Sequence, residues 1–162
     1  MSSENPIALL DTNVWLDHFL GNRPKSAHAT NLITYAAAHD ITLAYSAGEV
    51  KDVYYLIGQE LKRERRKTAG TLTQSDALAC SEVAWACVDN MTALATAISV
   101  GEPQVWLARH FRSLHNDFED NLVLAALETS KADVFVTNDE TIRSKSPVPS
   151  FSPEDTLAYW KM

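Results

Sequence analysis

The chain has 162 residues, 46% apolar and 22% charged, the proportions of an ordinary water-soluble protein. At that length folding buries roughly 70% of the surface exposed by the unfolded chain, enough for a full core in one domain. A formal charge of −7 speaks against gripping nucleic acid through bulk cationic surface. No apolar run approaches the roughly 20 residues that cross a bilayer.

Met1 to Pro6 lacks a basic region followed by an apolar stretch, so no secretory leader is expected and the cytoplasm is the expected compartment. Cys80 and Cys87, the two cysteines, are too few for a disulfide framework and lack the paired spacing of a zinc site. Seven residues apart, they share one helix face and read as buried thiols.

Ile7 to Leu10 is an unbroken apolar run that stops at Asp11, as in a strand buried on both faces. Thr12 to about Phe19 is expected to be helical and Gly21 to Pro24 a loop. Ala29 to His39 has helical spacing and Ile41 to Tyr45 alternates like a strand. Ser46 would cap a helix running through Tyr55 and Leu61. From about Ser75 to Ile98, Ala77, Cys80, Ala84, Cys87, Met91, Leu94 and Ile98 recur at steps of three and four, a core-facing helical stripe.

Asp117 to Ser130 reads as a further helix, Asp133 to Thr137 as a second buried strand and Val148 to Phe151 as a third. Ser152-Pro153-Glu154-Asp155 then opens the last helix with a capping serine, a proline at the first helical position and acids in the first turn. Strands alternating with helices predict a single α/β domain over residues 1–162, with a mainly parallel sheet covered on both faces.

Ligands of such sheets lie at the carboxyl ends of the strands. Asp11 ends the first strand and Asp139 follows another by two residues. Asp52 is expected on the second turn of the helix after Ile41 to Tyr45, and Asp120 in the first turn of the helix opened near Asp117. Carboxylates gathered in one cleft repel each other, and a cation resolves the repulsion. An all-oxygen set suits Mg²⁺ or Mn²⁺ better than Zn²⁺. Such ions neutralise phosphate charge and lower the pKa of a bound water, which makes phosphodiester hydrolysis the natural reaction.

The stretches "LLDTNVWLDHFL", "YSAGEVKDVYYLI", "NDFEDNLVLAALETSKADVFVTND" and "PSFSPEDTL" resemble the PIN-domain family, particularly its ribonuclease toxins of the VapC kind, over nearly the whole chain and in order. The resemblance implies a three-layer α/β/α fold and acids that bind Mg²⁺ or Mn²⁺ to cleave RNA. It assigns Asp11, Asp120 and Asp139, with Asp52 as the favoured second acid and Glu49 as its possible substitute. It also implies that Asn13 and Thr137 hold carboxylates by hydrogen bonds, with Asn138 beside them. Asp117 would be an outer acid or a helix cap.

Lys62, Arg63, Arg65, Arg66 and Lys67 offer a local basic surface for RNA, or a solvated helix end. Arg63, Arg65 and Arg66 are the candidate contacts. Trp15 reads as core, with base stacking as the other possibility. Trp85, Trp106 and Trp160 read as packing residues, and His18, His110 and His115 receive no role.

The expected activity is a metal-dependent endoribonuclease, a homodimer by the family resemblance, with a small antitoxin as partner. An RNA-processing nuclease outside a toxin system and a silent PIN fold that binds RNA or a partner are the other readings. A phosphatase using a phosphorylated aspartate would want a second aspartate at position 13, where Asn13 stands.

Overall fold

The computed structural model describes residues 5–162, so most of the Met1 to Pro6 segment lies outside the described residues. Five strands, β1 (Ile7–Leu10), β2 (Thr42–Ser46), β3 (Ala95–Ile98), β4 (Val134–Val136) and β5 (Ser150–Phe151), form a parallel sheet in the order β3-β2-β1-β4-β5. β1 pairs Leu9 with Ala44 of β2 on one side and with Phe135 of β4 on the other. The chain leaves β1 toward one edge and returns through β4 toward the other. The carboxyl ends of β1 and β4 therefore flank the crevice where open α/β sheets bind ligands.

Period-two alternation decides which helices cover which face. Ala8, Leu10, Val134 and Val136 join one core cluster with Val14 and Trp15 of α1 (Thr12–Phe19), Leu32 and Ile33 of α2 (Ser26–Ala38) and Val53 and Ile57 of α3 (Glu49–Ala69). Ala84 and Met91 of α4 (Gln74–Leu94) complete that cluster. Leu9 and Phe135 turn the other way, onto Leu124 and Leu127 of α6 (Phe118–Thr129) and Ile142 of α7 (Glu140–Arg143). The result is the expected three layers. α5 (Glu102–His110) packs beside α6, and α8 (Pro153–Trp160) beside α2.

Local chemistry fixes the helix ends. Thr73 and Asp76 form a reciprocal capping box at the start of α4. Ser152 caps α8 through Asp155 N–H, with Pro153 at its first position, as its sequence predicts. Gly70 closes α3 at φ 76°, a left-handed conformation that costs a glycine little.

Four expectations need correction. α2 begins at Ser26 rather than Ala29. Ser46 is the last residue of β2 and Gly48 the cap of α3, which puts Asp52 in the first turn of that helix rather than the second. The stripe begun near Ser75 leaves the helix at Leu94. Ala95 turns extended, and Ala95 to Ile98 become the edge strand β3, because the alternating β-branched Thr96 and Ile98 find a backbone partner in β2. Trp85 and Trp106 are 56% and 55% exposed, so they are not core packing, whereas Trp160 packs against the core. Trp15 is fully buried.

Candidate active site

Asp11, Asp52, Asp120 and Asp139 line one cavity of about 610 Å³, with Asn13 and Glu49 on the same wall. Each arrives by a different local device. Asp11 ends β1, where its N–H donates to Val136 O at 3.0 Å and its side chain caps α1 through Thr12 N–H at 2.8 Å. Asp120 stands in the first turn of α6, whose cap is Asp117. Asp139 caps α7, its Oδ1 accepting from Thr141 N–H at 2.8 Å. Helix starts after parallel strands all face the same sheet edge, so four acids distant in sequence come to line one cavity there.

Burial and mutual charge decide the electrostatics. Burial pushes the Asp11 carboxyl above its ordinary range, against the bonds from Thr137 and Thr12, while the charges of Asp120 and Asp139 raise it further. Glu49 is 3% exposed, and burial followed by the charge of Asp11 pushes it well above the usual carboxylate range. Thr12 N–H is shared between Asp11 Oδ1 at 2.8 Å and Glu49 Oε1 at 3.1 Å, so one donor holds both carboxylates at the strand end.

Glu49 and Asp52, one turn apart on α3, differ in surroundings. Glu49 spends both oxygens on backbone, accepting from Thr12 N–H and from Ser46 N–H at 2.9 Å. It clamps the end of β2 to the start of α1. Asp52 has a side chain 31% exposed and pairs with Lys51 at 2.8 Å on the cavity rim.

The supporting residues divide as well. Thr137, at the end of β4, donates its hydroxyl to Asp11 Oδ2 at 2.7 Å and accepts Asp139 N–H at 3.1 Å. Asn13 lines the cavity but holds no carboxylate among the described residues. Asn138 turns instead to α1, donating to Asp17 Oδ2 at 3.3 Å while accepting from Lys25 Nζ. Asp117 is a helix cap and lies outside the cavity lining. His115, given no role by sequence, sets Nε2 2.7 Å from Asp120 Oδ2 and is the supporting residue that sequence reading missed. Nothing in its spacing flags it, because the contact depends on the turn before α6.

Of the basic candidates, Arg63 is held by Glu60 and Arg65 by Asp76, while Arg66 has no ion pair among the described residues.

Every donor in the acid set is oxygen. Among the described residues no three His, Cys, Asp or Glu side chains stand close enough together to hold one ion. The fit to a hard divalent ion rests on two observations: the four aspartates share a cavity, and two of them raise the carboxyl of a third. A cation there would relieve the repulsion that raises the Asp11 carboxyl.

The PIN domain family model matches residues 8–141. Among solved structures, VapBC2 from Rickettsia felis bound to a DNA fragment from their promoter aligns at 14% identity with a TM-score of 0.62, over 90% of this chain and 98% of that one. VapC20 of Mycobacterium tuberculosis, a sarcin-ricin loop cleaving toxin, aligns at 11% identity with a TM-score of 0.63, over 85% and 94%. A toxin-antitoxin complex from Klebsiella pneumoniae aligns at 16% with a TM-score of 0.57, over 90% and 97%. At these identities the likeness is one of fold. No curated protein matches the chain.

Proposed function

The chain belongs to the PIN domain family, and from that premise we propose that it is a divalent-metal-dependent endoribonuclease that hydrolyses RNA phosphodiester bonds, the toxin of a type II toxin-antitoxin pair. The observation that carries this is the single cavity lined by Asp11, Asp52, Asp120 and Asp139 at the carboxyl edge of the sheet. The toxin reading is supported by the solved neighbours, several of which are toxins or toxin-antitoxin complexes.

Asp11, Asp120 and Asp139, with Asp52 at the rim, would hold Mg²⁺ or Mn²⁺. When bound, the ion supplies charge neutralisation at the phosphate and an acidified water. The chain's own residues prepare that site. Thr137 fixes the rotamer of Asp11, and His115 fixes that of Asp120, leaving Oδ1 of Asp120 without a hydrogen bond among the described residues. The α7 amides hold Oδ1 of Asp139, which leaves Oδ2 available. Glu49 is the carboxylate that keeps β2 and α1 in register beneath them, while Asp52 offers an oxygen to the cavity.

The whole chain is read as one PIN-like domain acting in the cytoplasm, with a small antitoxin as partner and a second copy as its dimer mate. No helix among the described residues is long and apolar enough to cross a membrane. The test is incubation of wild type and Asp11→Asn with labelled RNA pools in Mg²⁺, Mn²⁺ and EDTA. Cleavage is expected in wild type with metal alone. Cleavage that persists in EDTA or in the variant overturns the assignment, and RNA binding without any cleavage favours a silent binding fold.

A further inference from the structure

A second cavity, of about 640 Å³, lies on the other side of the first turn of α6. Phe118 lines both cavities, so they adjoin. Asp120 lines the acidic one and the next residue, Asn121, lines the other, because successive helix positions point about 100° apart. The second cavity has the opposite chemistry. Arg109 and Arg112 line it without an ion pair among the described residues, in a chain whose formal charge is −7. Of the other five arginines, Arg23, Arg63, Arg65 and Arg143 face carboxylates, and Arg66 alone shares the lack of an ion pair among the described residues.

Two aromatic residues flank these cations, Phe118 and Trp106, the indole of Trp106 having one face against the imidazole of His110 with 3.8 Å between ring centroids. Trp106 is 55% and Phe118 50% exposed, although both border a cavity. Water-exposed indole and phenyl rings next to unpaired guanidinium groups are unfavourable as plain surface and well suited to a stacked base with its phosphate.

A third feature points to a ligand independently. Asn121 is 2% exposed, and its Oδ1 has no hydrogen-bond partner. Its orientation is fixed, because Nδ2 donates to the backbone carbonyl of His115 at 2.7 Å and that carbonyl can only accept. Turning the amide over would set oxygen against oxygen. The orphan is therefore an acceptor closed off from solvent beside the cavity, and an N–H donor, as on the edge of any nucleobase, would satisfy it once the side chains over it move aside.

We propose that the cavity bounded by Trp106, Arg109, Arg112, Asn116, Phe118 and Asn121 is a nucleotide subsite that takes one residue of single-stranded RNA flanking the scissile phosphate. This rests on the nuclease reading of the neighbouring acids. The arginines take the phosphate, Trp106 and Phe118 take the base, and Asn121 accepts from its edge. His115 ties the two sites together, its side chain on Asp120 and its carbonyl on Asn121. A base seated in the subsite thus sets which phosphate lies over the acids.

The test is the anisotropy of a labelled single-stranded oligoribonucleotide pool in EDTA, with wild type, Trp106→Ala, Arg109→Ala/Arg112→Ala and, as a charge control far from the cavity, Lys131→Ala. Trp106→Ala should raise Kd roughly tenfold, as for loss of one stacking platform. The arginine pair should flatten the plot of log Kd against log salt by about 0.7 per lost phosphate contact. Lys131→Ala should do neither. Sequencing of cleavage products in metal should show cut positions redistributed in the subsite variants.

Binding and cut positions unchanged in the Trp106 and arginine variants overturn the subsite while leaving the nuclease reading intact. Weakened binding by a protein that cuts no RNA upholds the subsite and rejects the nuclease. Variants that bind RNA normally but change mass on a sizing column would make the cavity a protein interface, which also overturns the proposal.

Discussion

Thr137 and Asp11 stand 126 positions apart in the chain, and the Thr137 hydroxyl donates to Asp11 Oδ2 at 2.7 Å. The bond joins the ends of β4 and β1 and is made by a residue that is 0% exposed. Thr137→Val keeps the shape and removes the hydroxyl, leaving a carboxylate oxygen and the Asp139 amide short of a partner. The expected loss is about 1–3 kcal/mol, read as a lower urea midpoint at unchanged slope. RNA cleavage should fall with it, and Thr137→Ser should recover most of both. A valine variant as stable as wild type would show that the bond contributes nothing.

Asp11 and Glu49 share Thr12 N–H and both have raised carboxyl pKa values, burial first in each, with the charges of Asp120 and Asp139 adding to the rise at Asp11 and the charge of Asp11 to that at Glu49. The folded chain therefore holds protons that the unfolded chain has released. Their contribution to stability is present below the ordinary carboxylate range, about pH 4, and is lost as pH rises through the raised values. Without metal, this pair makes the protein less stable at neutral than at mildly acid pH. Glu49→Gln should flatten that slope in thermal melts across pH. Saturating Mn²⁺ should oppose it, adding about 2.7 kcal/mol at a hundredfold excess over Kd. A slope identical in wild type and Glu49→Gln would refute the coupling.

Asp139 does two things that a substitution can separate. Its Oδ1 caps α7, a task asparagine performs equally well. Asp139→Asn should leave the melting temperature within error, yet lower RNA cleavage about 100-fold or more, as loss of a preorganised charged group does. Loss of stability with retained cleavage would reduce Asp139 to a turn residue.

Glu49 and Asp52 give opposite expectations. Asp52→Asn touches a rim carboxylate already paired with Lys51, so stability should change by less than about 0.5 kcal/mol while cleavage drops. Glu49→Ala removes a buried clamp on two backbone amides and should cost about 1–3 kcal/mol in urea unfolding before any question of activity arises. Full cleavage by Asp52→Asn would transfer the ligand role to Glu49.

The order of strands and helices is legible in the residues along most of the chain. Runs such as Ile7 to Leu10, and caps such as Ser152 with Pro153, are decided by neighbours a few residues away. That legibility fails where a distant partner outbids the local pattern. The spacing that marks α4 continues to Ile98, but β2 claims Ala95 to Ile98 as an edge strand. Asp11, Asp52, Asp120 and Asp139 were legible as acids near strand ends. Only the tertiary structure brought them into one cavity, tied Asp11 to Thr137, set His115 on Asp120 and turned Asn138 away to Asp17. Burial and Coulombic coupling are properties of where side chains meet in space. Strand periodicity is written residue by residue, but the company a carboxylate keeps is fixed only when the sheet assembles.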